Sequence, residues 1–222
     1  MRITSCLPAL ALAIKVSCLP AGEVVADAPE EGFRIVVDDN IPSQLVEPEW
    51  EVQVFPDKKP QRFKGSIEQV YKEVLDLNPS YEEDNPPVNV TLGADGTELS
   101  KRAPSGDPNC LGSGRGANML RLQEGVFYLD RLNAWIDLAP RRCSRVSCSF
   151  NAGIAICNDR HDLTWSLHTS LIISYVQRIS RSCSYFGVDV AGQQFDTGGF
   201  NVIAAKMNCN AGSGWDVSIP PP

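Results

Sequence analysis

Apolar residues recur at steps of three or four along residues 162 to 183, where Trp165, Thr169, Ile172, Val176, Ile179 and Cys183 form one stripe. This spacing predicts an amphipathic helix that delivers Cys183 to a core, with Asp162 as its N-cap. Val126, Leu129, Leu132, Asn133 and Ile136 predict a second helix over residues 124 to 138, after a short strand around 119 to 122. Residues 145 to 151 and 153 to 158 read as paired strands, with Ala152-Gly153 as their tight turn. Residues 192 to 195 and 200 to 207 flank Asp196-Thr197-Gly198-Gly199, a hairpin signature in which glycine supplies a positive φ. Nearer the N-terminus, Ile67, Val70, Tyr71, Val74 and Leu77 share one face of a helix predicted over 66 to 77. Trp50, Val52 and Val54 point one way in a loose strand over 46 to 55. Strands separated by helices and closed by a hairpin predict an α+β fold. Its expected form is a disulfide-bridged sandwich of an antiparallel sheet with two helices on one face.

Composition divides this pattern at the dibasic pair Lys101-Arg102. Residues 23 to 102 carry 18 Asp/Glu against 8 Lys/Arg and no cysteine, whereas residues 103 to 222 carry 9 against 10 and six cysteines. An acidic, proline-containing leader joined to a cysteine-framed module through Lys-Arg is what a kexin-type secretory protease cuts. The expected organisation is a signal peptide over 1 to 22, whose short basic start and brief apolar run are too short to span a bilayer, followed by a pro-region over 23 to 102. The pro-region reads as marginally structured, and the mature domain as residues 103 to 222. Asn89-Val90-Thr91 is a glycosylation sequon consistent with a secretory route. The expected product is secreted, soluble and monomeric.

Near-neutral charge in the module argues against a nucleic-acid partner, which requires a net basic footprint. Six cysteines, Cys110, Cys143, Cys148, Cys157, Cys183 and Cys209, read as a disulfide framework that sequence alone leaves open among fifteen pairings. A zinc site from Cys143, Cys148, Cys157 and His161 is the rival, disfavoured because no CxxC spacing occurs and the route is oxidising. No metal or cofactor is expected.

Asn109-Cys110-Leu111-Gly112-Ser113, the helix ending at Arg181-Ser182-Cys183 with Gly187 beyond, and Gly192-Gln193 leading to Phe200-Asn201-Val202 and Cys209 resemble fungal killer toxins of the smut virus-encoded type four. The resemblance covers about the last half of the chain. Gly116 and Phe186 stand where that family has two further cysteines. Their joint absence implies one lost bridge, leaving Cys110 with Cys183; Cys143 with Cys209 and Cys148 with Cys157 are then expected for the rest. The resemblance implies an α/β sandwich and growth inhibition, with a cation channel as one kind of target.

A hydrolase needs a nucleophile, base and orienting group that converge. The only histidines are His161 and His168, no Gly-x-Ser-x-Gly occurs, and Asp196-Thr197-Gly198 lacks the second carboxylate of an aspartic protease. No catalytic residue is expected. Arg141, Arg142 and Arg145, with Lys206, the module's one lysine, are the candidate contacts to a membrane or cell-surface component of a target cell. Trp135, Trp165 and Trp215 support the alternative of a carbohydrate- or wall-binding module.

Overall fold

Ile154 and Ile156 alternate with the small residues Gly153, Ala155 and Cys157, and every residue from 152 to 158 is buried, so this strand lies inside the fold with both faces covered. The computed structural model describes residues 44–86 and 103–210. In chain order these form β1 (Gln44–Leu45), β2 (Glu49–Val52), β3 (Gln61–Lys64), α1 (Ile67–Leu77), α2 (Tyr81–Asp84), β4 (Asn109–Cys110), β5 (Ala117–Asn118), α3 (Met119–Arg131) and β6 (Ala134–Leu138). There follow β7 (Arg142–Ser149), β8 (Ala152–Asn158), β9 (Trp165–His168), α4 (Thr169–Ser182), β10 (Ser184–Tyr185), β11 (Asp189–Val190), β12 (Gly192–Phe195) and β13 (Phe200–Lys206).

The main sheet has the order β1-β7-β8-β13-β12-β4, a second has β3-β2-β6-β9, and a small one has β10-β11-β5. All pairings are antiparallel except the two-residue contact of β1 with β7. The fold is therefore α+β. Helix α3 packs on β7 and β8 and α4 on β12 and β13, so two helices cover the main sheet. Ile154, Ile156, Val202 and Ala204 point into the large core beneath them. Their neighbours Ala155, Cys157, Ile203 and Ala205 turn to the opposite face and form a smaller cluster with Cys143 and Met207.

Three disulfides staple this frame. Cys110–Cys183 is the pairing that the resemblance implied, but the other two exchange partners: Cys143 bonds Cys157, and Cys148 bonds Cys209. Hairpin register is the reason. It sets Cys143 directly opposite Cys157, Cα atoms 4.0 Å apart, while the chain after β13 crosses to β7 and brings Cys209 to Cys148. Those bonds occupy every cysteine of the alternative zinc set.

Several element boundaries differ from the periodicity. The stripe begun at Trp165 divides into β9 and α4, because Leu167 alternates inward opposite Ile136 and the His168 side chain, not Asp162, accepts from the helix. Asn118 caps α3 by accepting from Leu120 and Arg121, so that helix starts at Met119. It stops at Arg131, and Ala134, Ile136 and Leu138 alternate inward in β6, where the sequence predicted helix. Phe150-Asn151, not Ala152-Gly153, turns the β7–β8 hairpin.

The largest correction concerns residues 44–86. Expected to be marginally structured, they place β2 between β3 and β6 and contribute Trp50, Val52, Val54, Ile67, Val70, Val74 and Tyr81 to the main core, each at most 1 % exposed. Asn78 Nδ2 donates to Val54 O, tying the end of α1 to the strand segment. The compositional boundary near residue 102 is not a boundary of the fold. The segment expected to be a signal peptide, Asn89, Lys101-Arg102 and Trp215 lie outside the described residues.

Candidate functional site

The basic residues singled out from the sequence do not form one patch. Arg141 follows Pro140 at a positive φ of 56° and is 7 % exposed, with Nη1 donating to Asp159 O. Arg142 begins β7 at the same end of the sheet. Arg145 donates from Nη1 to Asn208 O at 2.5 Å and from Nη2 to Cys209 O at 3.4 Å, and burial lowers its pKa. This guanidinium fastens the chain that carries Cys209. Lys206 is exposed opposite Ala152, at the other end of β8 from Asn158. Six strand steps separate the two ends, roughly 20 Å.

Beside Arg141 lies the half-buried carboxyl of Asp159. Asn201 Nδ2 donates to both oxygens of Asp159, at 2.8 and 3.0 Å, and Gln193 Nε2 donates to Asn201 Oδ1. Burial pushes the Asp159 pKa up to about 6, against the opposing pull of Asn201 and Arg141. A carboxyl tuned near neutrality is a general feature of acid–base sites. Its hydrogen-bond partners here are amides, and it pins the loop after β8 to β13.

His168 sits between Ser170 Oγ and Asn133 Oδ1, each 2.7 Å from a ring nitrogen. The trio has the composition of a nucleophile, base and orienter. Its local geometry is that of a helix cap, however, because Nδ1 accepts the Ser170 N–H and so carries a lone pair, leaving the ring proton on Nε2 for Asn133. Burial lowers the His168 pKa, which keeps the ring neutral. His161 is exposed in the loop before β9. Asp196 accepts from Tyr175 Oη and Gly198 N, holding the β12–β13 turn as a hairpin, with Gly199 at φ 88°.

The tryptophans separate. Trp165 packs edge-on to Phe200 against the main core, whereas Trp135 is 40 % exposed on the outer face of the second sheet. Register sets Glu51 on one side of Trp135 and His168 on the other, with Asp137 and Ser166 in the next row. Trp135 is thereby flanked by polar side chains on the outer face of this sheet.

Sequence reasoning missed the most exposed large apolar residues among the described residues. Phe150 (76 % exposed) opens the two-residue loop of the β7–β8 hairpin and Phe186 (94 %) the three-residue loop of the β10–β11 hairpin, with φ of 49° and 52°. Asn151 and Gly187 follow them at φ 60° and 71°. Such turns favour Asn or Gly at both positions, so phenylalanine there carries backbone strain that the fold does not require. Both hairpins are anchored by bridges: Phe150 lies two residues after Cys148, and Phe186 three after Cys183. Arg121 stacks over the Phe150 ring at 4.1 Å. Its neighbour Leu120 is 69 % exposed, and Met119 N donates to Val188 O, drawing Val188 (54 %) and the Phe186 hairpin to the start of α3. The legible signal was an aromatic directly before a turn residue. Its exposure was not legible.

Among the described residues, no group of three or more His, Cys, Asp or Glu is arranged to hold a metal ion, and no helix is long and apolar enough to cross a membrane. No protein-family model, curated protein or solved structure matches the chain.

Proposed function

We propose that this chain is a secreted, proteolytically processed effector of killer-toxin type that acts by attaching to a component of a target cell's surface. The observation that carries the reading is the pair of bridge-anchored hairpins presenting Phe150 and Phe186. Rigid aromatic anchors bind at low entropic cost, and strain retained at two exposed positions is typical of sites kept for function. Asp159, Asp196 and His168 are each engaged in holding loops or a helix end, which is consistent with action by binding. A disulfide frame suits an oxidising extracellular compartment. The test is addition of the purified protein, native or reduced and alkylated, to candidate target cells, scoring surface retention and growth. Retention and growth inhibition by the native form alone support the reading; absence of retention on every cell type overturns it.

The exposed Trp135 row favours a second reading, a glycan-binding module, because sugar rings stack on a flat aromatic face while neighbouring polar groups fix their hydroxyls. Retention on insoluble chitin or glucan that is lost in Trp135→Ala would support it.

A further inference from the structure

The geometry points to a lipid bilayer with anionic headgroups as the surface that Phe150, Phe186, Leu120 and Val188 engage, an assignment that rests on the attachment reading above. The four residues are linked through the start of α3: the Phe150 ring lies under Arg121, Leu120 precedes Arg121 in the chain, and the backbone hydrogen bond from Met119 N to Val188 O joins this end of α3 to the hairpin tipped by Phe186. They project from hairpin tips and a helix start rather than lining a cleft. A rigid protein partner would need a separate pocket for each tip. The boundary between headgroups and acyl chains deforms around each one, and inserting apolar side chains there is the usual mode of a protein that lies on a membrane without spanning it.

Charge agrees with that occupant. Across residues 113–124 and 181–190 the chain carries Arg115, Arg121 and Arg181 against Glu124 and Asp189, so 3 − 2 gives +1, within a chain of net charge −7. The apolar residues thus lie in a stretch with one cation in excess, the Arg121–Glu124 ion pair being internal to it, and basic groups beside inserted apolar side chains favour anionic lipid. The bridges Cys110–Cys183 and Cys148–Cys209 hold the stems of both hairpins, so insertion requires no ordering of the loops.

The test is co-flotation of the full chain with phosphatidylcholine vesicles, with and without phosphatidylserine, alongside retention on target cells. The wild type is expected to float with phosphatidylserine-containing vesicles and to release as salt is raised. Phe150→Asn and Phe186→Asn should each lower partitioning about tenfold, the equivalent of withdrawing one phenylalanine from an apolar phase. Asn is at ease at positive φ, so their melting temperatures should match or exceed the wild type, which separates loss of binding from loss of fold. Phe186→Leu should retain most of the binding. Cell retention without vesicle binding would overturn the lipid assignment alone, and absence of both would overturn the attachment reading as well. Asn variants that partition like the wild type, or a concentration-dependent dimer that hides these side chains, would also overturn it.

Discussion

Replacing Gly125 with alanine sets two physical effects against each other. Gly125 lies inside α3, where alanine is favoured by about 1 kcal/mol through helix propensity. Its Cα faces β7 and β8, and a methyl group there would meet Ser147 Oγ first, Ser147 Cβ at 3.0 Å and Ile154 Cδ1 at 3.1 Å. Ser147 is 2 % exposed, and its hydroxyl donates at 2.5 Å to Glu68 Oε1 of α1. Rotating that hydroxyl away relieves the closest contact but leaves the half-buried Glu68 carboxyl without the donor, at about 1 to 3 kcal/mol. The remaining crowding adds about 1 to 3 kcal/mol. The expected outcome is a net destabilisation of about 1 to 5 kcal/mol, measured as a lower urea midpoint at unchanged slope. Because Ser147 carries much of the clash, the double variant Gly125→Ala, Ser147→Ala should lose less than the sum of the single changes. A Gly125→Ala protein as stable as the wild type, or more so, would refute the argument.

Three further outcomes follow from the same structure. Cleavage after Arg102 should not release the segment that precedes it, because seven nearly fully buried core side chains come from residues 44–86 and each contributes about 1.5 to 3 kcal/mol; native mass spectrometry should find one particle that separates into two chains on denaturation, and a folded fragment beginning at Ala103 alone would contradict this. The sequence separations of 73 for Cys110–Cys183 and 14 for Cys143–Cys157 rank the bridges, so replacing the first pair by alanine should cost about 4 kcal/mol and the second about 3 in thermal or urea unfolding, and the reverse order would count against the loop-entropy account. Asp159, raised from 3.8 to about 6 by burial, holds its proton more tightly folded than unfolded, so its stabilising contribution is complete below about pH 4 and lost as pH rises through 6. Relative to Asp159→Asn, the wild type should lose about 3 kcal/mol between those limits, with the opposite trend from His168 cancelling because both proteins retain it; parallel pH profiles would show that Asn201 compensates the burial.

The sequence by itself determined the elements whose signal is local. The face of α1, the inward side of Trp50, Val52 and Val54, and the β12–β13 hairpin around Asp196 to Gly199 each follow from periodicity or from glycine in a turn. Short apolar runs were ambiguous, since Ala134 to Leu138 and Trp165 to His168 fit helical spacing until strand pairing claimed them, the first between two partners and the second along the edge of the same sheet. Only the tertiary structure decided which cysteines meet, because register in β7–β8 and the crossing of the chain after β13 are long-range events. It alone turned Arg141 and Arg145 inward as fasteners and left Phe150 and Phe186 outside, since exposure is a property of what else packs nearby. Composition drew a line at residue 102, yet β2 pairs across it with β6, and apolar burial, blind to charge and cysteine content, joined the two parts into one core.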